Sequence, residues 1–122
     1  MIEIFDRKGF DCLISIEAST LKGIDLSGAE LGNACLVEFD LSNANLQSVN
    51  LASADLRLAK LDGADLSGAD LKDADLTGCS LIGANLKGAN IEGAKLTLEH
   101  RAALKEAGIS LAGLPLELGI KS

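Results

Sequence analysis

A leucine or isoleucine recurs at every fifth residue from Ile16 to Leu96 without interruption. We call these seventeen positions, fifteen Leu and two Ile, the centres of the repeat. The residue two before a centre is Ala in eleven cases, and the residue directly before it is Asp or Asn in ten. The second residue after a centre is Gly in eight cases. An internal repeat of this regularity constrains the architecture more than any other feature of the chain.

A period of five fits neither a helix nor a continuous strand. In an α-helix, centres five residues apart would spread around every face. In a strand, successive centres would point to opposite sides. The pattern instead predicts a short extended segment and a corner in each five residues, with the centre and the residue two before it pointing inward. Gly tolerates a positive φ angle at the corner, and Asp or Asn bonds its own neighbouring backbone.

The pattern Ala-(Asp/Asn)-Leu-x-Gly, as at residues 64–68 and 84–88, resembles the pentapeptide repeat family. The resemblance implies an all-β solenoid, a right-handed quadrilateral β-helix with four pentapeptides in each coil. Seventeen pentapeptides then make about four coils, in which residues twenty apart lie above one another. Columns of Leu with Ala between them are expected to form the core, and Phe39 is expected to point inward at an Ala position.

We expect a single domain, because 122 residues is one domain's length. A charged residue cannot sit unpaired in a dry column, so the inward positions that would hold Asp11 and Glu99 mark the ends of the repeat. The predicted organisation is a hairpin-like N-terminal cap at 1–13, the β-helix at 14–96, a capping α-helix at 97–108 and an apolar tail at 109–122. Solenoids need caps because a bare end exposes both core and backbone edge.

The C-terminal part is predicted from two patterns. Thr97 begins a helix from Leu98 to Ala107, and Gly108 is its stop. In the tail, aliphatic residues alternate with others and predict a strand or an extended arm; they are Leu114, Leu116, Leu118 and Ile120. We expect these residues to pack on a second copy, as a homodimer through the C-terminal region, or else on the chain's own cap.

The sequence offers no catalytic centre. The single His, His100, lies between Glu99 and Arg101 and is predicted to be a solvated helix residue, since a catalytic base needs a nucleophile and an orienting group. The three cysteines have no paired spacing and predict neither a metal site nor a disulfide framework. The glycines follow the period of five and form no phosphate-binding loop. We therefore expect no enzyme, no metal and no cofactor.

The net charge of −7 suggests one specific function, which depends on an acidic surface. Quinolone-resistance members of the resembled family are described as DNA mimics that bind type II topoisomerases. Six of the acidic residues, however, occupy the repeat's own Asp position, and Lys and Arg interrupt the surface. A DNA-mimicking inhibitor or protector of gyrase is therefore the alternative prediction. Binding of nucleic acid itself is not expected, because an acidic chain repels phosphates.

The leading prediction is a non-enzymatic structural or protein–protein interaction module with an unidentified protein partner. Rigid repeats offer an extended surface for binding. Val37, Leu58 and Ile82 are apolar at outward positions and, with the tail residues, form the candidate interaction surface; Val37 and Leu58 are placed close enough to touch. No apolar run approaches the roughly 20 residues of a membrane helix, and no signal peptide is readable, so a cytoplasmic protein with no membrane partner is expected.

Overall fold

Stacked coils of backbone form the body of the protein. The structure, a computed structural model, describes residues 1–110. Short parallel bridges join residues twenty apart, from the pair Asp25 and Asn45 to the pair Asp75 and Lys95. The backbone hydrogen bonds that join successive coils are 2.7–3.1 Å long. Each coil is therefore paired edge to edge with the next, as neighbouring strands are in a parallel sheet.

The repeat centres fill the interior. Every Leu centre from Leu21 to Leu96 is buried, with at most 7% of its surface exposed, as predicted. Burial of one such side chain contributes about 1.5–3 kcal/mol. Ile16 and Ile91, near the two ends, are half-buried. Phe39 packs against this core in the predicted direction but also stays half-buried.

Each corner is a four-residue turn that begins at a centre. At Leu66 the carbonyl accepts the N–H of Ala69 at 3.0 Å, and Gly68 between them has a φ of +70°. The equivalent residue has a positive φ at all fifteen corners from Gly23 to Gly93. This is the geometry of a type II turn, which Gly adopts without steric cost. Seven of the fifteen residues are not Gly, so the sequence carries some strain at its corners.

The ten Asp and Asn residues before the centres stabilise the extended segments. Each accepts the backbone N–H two residues further along at 3.0–3.2 Å, as predicted. Where that second residue is Ser or Thr after an Asp, its hydroxyl donates to the same carboxylate oxygen at 2.6–2.7 Å. These carboxylates therefore serve the chain's own turns.

An antiparallel hairpin closes the N-terminal end. Strand β1 (Ile2–Phe5) pairs with strand β2 (Cys12–Ile16). The other edge of β1 pairs with the first coil, where the N–H of Cys35 donates to the Phe5 carbonyl at 2.7 Å. Ile4 is completely buried, so the hairpin also covers the exposed end of the core.

The predicted start of the repeat at Ile14 is corrected by this hairpin. In later coils an N–H such as that of Asp55 donates to the carbonyl twenty-one residues before it, that of Ala34. By that rule Cys35 would donate to Ile14, but it donates to Phe5 instead. Because β1 takes the place of a coil here, Ile14 and Ile16 belong to the hairpin, which is longer than the predicted cap at 1–13.

A short helical segment covers the C-terminal end. A 3₁₀ turn at Leu98–His100 leads into the helix α1 (Arg101–Glu106), so the predicted helix from Leu98 to Ala107 is present in two parts. Leu104 is completely buried against the last coil. Gly108 follows with a φ of +78°, the conformation that ends a helix.

His100 is buried, so the prediction of a solvated helix residue is wrong. Only 1% of its surface is exposed. Its Nε2 donates to the carbonyl oxygen of Cys79 at 2.7 Å, and its Nδ1 accepts the N–H of Thr97 at 3.2 Å. The imidazole is therefore a structural group that joins the capping segment to the last coil.

Candidate functional site

The three outward aliphatic residues differ in exposure and direction. Leu58 is 57% exposed and Ile82 is 78% exposed, whereas Val37 is half-buried. Leu58 leans toward the following coil, where a Cβ added to Gly78 would lie 2.7 Å from its Cδ2. It therefore points away from the preceding coil, which carries Val37. Ile82 follows the centre Leu81 and lies on the next side of the coil.

Among the fifteen corners from Gly23 to Gly93, Leu58 is also the only large apolar residue. Its φ is +62°. The other non-Gly corner residues are polar, and Asn and Asp among them tolerate this region better than a branched apolar side chain does. A left-handed conformation costs a residue with a Cβ about 1–2 kcal/mol. Leu58 is therefore a strained, exposed residue.

One side of the coils carries a concentration of carboxylates. We call it the acidic side, and it surrounds the centres Leu31, Leu51, Leu71 and Ile91. Its charged residues are Glu30, Asp70, Asp73, Glu92 and Lys72. Lys72 is its one cation. The Nζ atom of Lys72 lies 3.6 Å from the Glu92 carboxylate, and both side chains are more than half exposed. An exposed pair of this kind is screened by water, so the side remains electronegative.

A second side carries as many cations as anions. We call it the balanced side, and it surrounds the centres Leu21, Leu41, Leu61 and Leu81. Its charged residues are Lys22, Asp40, Lys60 and Asp62. Lys22 lies 3.6 Å from Asp40. The net charge of −7 is thus distributed unevenly around the coils.

Two aspartates stacked on successive coils are neutralised in part by an arginine. Asp55 and Asp75 are bridge partners. The Arg57 guanidinium donates to both carboxylate oxygens of Asp55 at 2.8 Å. These hydrogen bonds hold the pKa of Asp55 below its usual value. Arg57 also lies close enough to Asp75 to interact with its charge, so it reduces the repulsion between the two carboxylates.

A groove lies between the last coil and the capping segment, and we call it the end groove. It has a volume of about 320 Å³, and its coil wall includes Leu81, Ile82 and Ala84. The opposite wall includes Glu99, Ala103 and Glu106. Sequence reasoning singled out Ile82 but missed the groove, because the groove depends on where the capping helix lies.

Ile82 is held at the edge of this groove by a contact between coils. Its N–H donates to Asp62 Oδ1, one coil below, at 3.1 Å, and the Ser80 hydroxyl donates to the same oxygen. Asp62 follows its centre directly and so lies outside the Asp position of the repeat. A carboxylate that bonds to the next coil is recognisable in the sequence only once the stacking of residues twenty apart is known.

The outer face of the N-terminal hairpin is apolar, which sequence reasoning did not identify. Phe10 in the turn is 81% exposed, and Phe5 and Leu13 are each 37% exposed. The Cys12 thiol is exposed nearby. Alternation along β1 and β2 could have revealed this face, because the neighbouring Ile residues point to the core.

Cys79 stands at an Ala position of the repeat and is buried in the core. Only 1% of its surface is exposed. Burial raises the pKa of its thiol to about 12. A thiol in that state is a poor nucleophile at neutral pH.

Some of the predicted residues lie beyond the part of the chain that the structure describes. The predicted tail residues Leu114, Leu116, Leu118 and Ile120 lie outside the described residues. Between Met1 and Ser110, no three His, Cys, Asp or Glu residues are grouped so that they could hold a metal ion. No helix in that same part of the chain is long and apolar enough to cross a membrane.

The repeated corners and parallel rungs define a β-solenoid built from five-residue units. The chain matches the family model described as "Pentapeptide repeats (8 copies)" over residues 24–63 and 59–97. Together these ranges cover more than half of the chain. The chain therefore belongs to the pentapeptide repeat family, whose members form right-handed β-helices.

Three solved structures of pentapeptide repeat proteins are similar to this chain. Rfr23 from the cyanobacterium Cyanothece 51142 is 41% identical over 57% of this chain and 52% of its own, with a TM-score of 0.39. The protein alr5209 from Nostoc Pcc 7120 is 40% identical over 70% and 83%, with a TM-score of 0.41. AT2G44920 from the Arabidopsis thaliana thylakoid lumen is 29% identical over 77% and 81%, with a TM-score of 0.37. The chain spans about half the length of Rfr23. No curated protein matches it.

Proposed function

We propose that the protein is a rigid, non-enzymatic structural or interaction module, built as a right-handed quadrilateral β-helix of about four coils. The observation that carries the proposal is that most polar groups of the coils form hydrogen bonds within the fold itself. Backbone groups pair between coils, and all ten repeat Asp and Asn side chains bond to their own turns. Such a scaffold can present a fixed pattern of charge to a partner protein.

The acidic side is the surface best suited to that role. Asp73 and Glu92 lie outside the Asp position of the repeat, and Glu30 occupies it. Glu30 accepts a 3.4 Å hydrogen bond from Asn50 on the next coil, and Glu92 lies 3.6 Å from Lys72. All three side chains are exposed, so their carboxylates remain accessible to a basic partner surface. Complementary charge directs association and selects partners. Unlike the scattered aliphatic residues, this feature extends over successive coils.

Retention of a partner from a lysate of the source cells tests the proposal. The immobilised wild-type chain is compared with a variant carrying Glu30→Gln, Asp73→Asn and Glu92→Gln, and with a matched variant carrying Lys22→Gln and Lys60→Gln on the balanced side. We expect a specific partner to be retained by the wild type and the balanced-side variant and lost from the acidic-side variant. Equal retention by all three proteins, or by none, would contradict the assignment.

The alternative is a DNA-mimicking inhibitor or protector of gyrase. The concentration of carboxylates on the acidic side is the observation in its favour. Against it, the balanced side is not acidic, and several Asp carboxylates, such as Asp25 and Asp65, are engaged by their own turns. We expect no inhibition in a gyrase supercoiling assay at low micromolar protein. Inhibition that the acidic-side variant lacks would establish the alternative instead.

Self-association through the tail is a separate proposal. It is motivated by the aliphatic residues Leu114, Leu116, Leu118 and Ile120. Light scattering at several concentrations should give the mass of two chains. A constant mass of one chain, unchanged when residues 113–122 are deleted, would contradict the proposal. The cytoplasmic location stays a prediction from the sequence.

A further inference from the structure

The end groove contains an unpaired backbone edge. One coil earlier, the N–H of Leu61 donates to the Ser80 carbonyl at 2.8 Å, and the N–H of Gly63 donates to the Ile82 carbonyl at 2.9 Å. The equivalent N–H groups of the last coil belong to Leu81 and Gly83. Neither has an acceptor among residues 1–110. These two donors, two residues apart, match the spacing of carbonyls along one edge of an extended peptide.

The capping segment leaves this edge open for a geometric reason. The repeat would place the carbonyls of residues 100 and 102 above Leu81 and Gly83. Residue 100 instead ends the 3₁₀ turn, and residue 102 lies in α1. The His100 ring satisfies the carbonyl of Cys79 but offers no acceptor to the two N–H groups further along.

The side chains around the edge select a particular kind of peptide. Ile82, which is 78% exposed, and Ala103 supply an apolar surface. Glu99 and Glu106 supply two exposed carboxylates on the opposite wall. A volume of about 320 Å³ is at the small end of ligand sites, which suits a few residues of peptide rather than a large cofactor.

We propose that the end groove binds an extended apolar segment of a partner protein that carries Lys or Arg, added as one more rung of the coil. Two carbonyls of the segment accept the N–H groups of Leu81 and Gly83, as in other cases of strand addition. An apolar side chain packs on Ile82, and a basic side chain pairs with Glu106. The inference rests on the proposed interaction function and names its ligand class.

The test uses a fluorescein-labelled synthetic peptide, Lys-Val-Ala-Val-Lys, and the full-length chain. Fluorescence anisotropy measures the affinity, and amide hydrogen exchange measures protection of Leu81 and Gly83. We expect binding that slows exchange at these two amides. Ile82→Ser should weaken binding by about fivefold, through lost apolar contact, and Glu106→Lys by about tenfold, through charge reversal. The peptide with Glu in place of both Lys should bind at least about tenfold more weakly.

Matched variants separate the groove from general surface effects. Leu58→Ser removes another exposed aliphatic side chain, and Glu17→Lys reverses an exposed charge beside the N-terminal hairpin; both should bind the peptide as the wild type does. Binding without protection of Leu81 and Gly83, or equal binding of the acidic peptide, would overturn the inference. So would failure of the full-length chain to bind, even if a chain ending at Ser110 binds, because the groove is then closed to partners. Retention of a partner by the acidic side is measured independently, so the proposed function can stand while this inference fails.

Discussion

The Nε2 atom of His100 lies 2.7 Å from the carbonyl oxygen of Cys79. In the preceding coils a carbonyl at this position accepts the backbone N–H twenty-one residues later, as that of Ala59 does from Ser80. Twenty-one residues after Cys79 is His100 itself, whose own N–H donates instead to the Thr97 carbonyl at 3.0 Å. The imidazole therefore replaces the next coil's backbone donor and allows the coil to end.

Replacement of His100 should destabilise the protein. His100→Ala leaves the Cys79 carbonyl and the Thr97 N–H buried without their partners, and we expect a loss of about 1–3 kcal/mol in the free energy of unfolding. Urea denaturation measures this. Lys105→Ala, on the exposed face of α1, is the control and should change the free energy by less than about 0.5 kcal/mol. Equal effects would mean that the His100 hydrogen bonds contribute little.

The regular part of the fold was predictable because it follows from one repeated rule. A period of five with Leu at the centre determines which side chains are buried, and Asp or Asn before the centre determines the local hydrogen bonds. At the two ends of the β-helix, the structure depends on which segment of the chain pairs with the backbone edge that no further coil covers. The Phe5 carbonyl displaces Ile14 at one end, and the His100 ring substitutes for backbone at the other. No periodic pattern encodes either contact.

Among the candidate surface residues, exposure was predictable for Leu58 and Ile82 but not for Val37, which is half-buried, and the direction of the side chains was not predictable. Leu58 and Ile82 are exposed, as their outward positions indicated. The lean of Leu58 over Gly78 depends on its positive φ, and the groove beside Ile82 depends on the position of α1. Residue type and period alone could supply neither fact.

Truncation of a central Leu should be costly. Leu66 is completely buried within rigid stacked coils, so Leu66→Ala should leave a cavity that cannot collapse and lower the free energy of unfolding by about 2–5 kcal/mol. Chemical denaturation measures the loss. Ser67 is an imperfect control, since its hydroxyl donates to Asp65 at 2.7 Å. Lys87→Ala, at the same position one coil later, should stay within about 0.5 kcal/mol. A similar loss in both variants would refute the inward and outward assignment.

Relief of strain at Leu58 should stabilise the protein. Leu58→Gly removes the Cβ at a φ of +62°, and the gain is reduced by the greater freedom of Gly in the unfolded chain, so we expect about 0.5–1 kcal/mol of added stability. Thermal or urea unfolding measures it. Leu58→Ala removes most of the same apolar surface but keeps the Cβ, and it should show no comparable gain. If both variants gain equally, exposure of the side chain rather than backbone strain is responsible.

Acid should unfold the protein through its repeat aspartates. Hydrogen bonds from residues two positions further along lower the pKa values of Asp25, Asp40 and Asp65 from the ordinary value of 3.8. A carboxyl group whose pKa is lower in the folded state binds protons more readily when unfolded. The stability it contributes is therefore fully present above a pH of about 4 and is lost as the pH falls through the lowered folded value.

Urea denaturation at a series of pH values between about 2 and 6 tests this expectation. The wild type should lose stability progressively below about pH 4. A variant carrying Asp25→Asn, Asp40→Asn and Asp65→Asn should lose less, because Asn keeps an oxygen that accepts the same backbone N–H but does not titrate. The chain already uses Asn in this way at Asn45 and Asn85, which share a column with Asp65. Parallel pH curves for the two proteins would show that other carboxylates govern the acid transition.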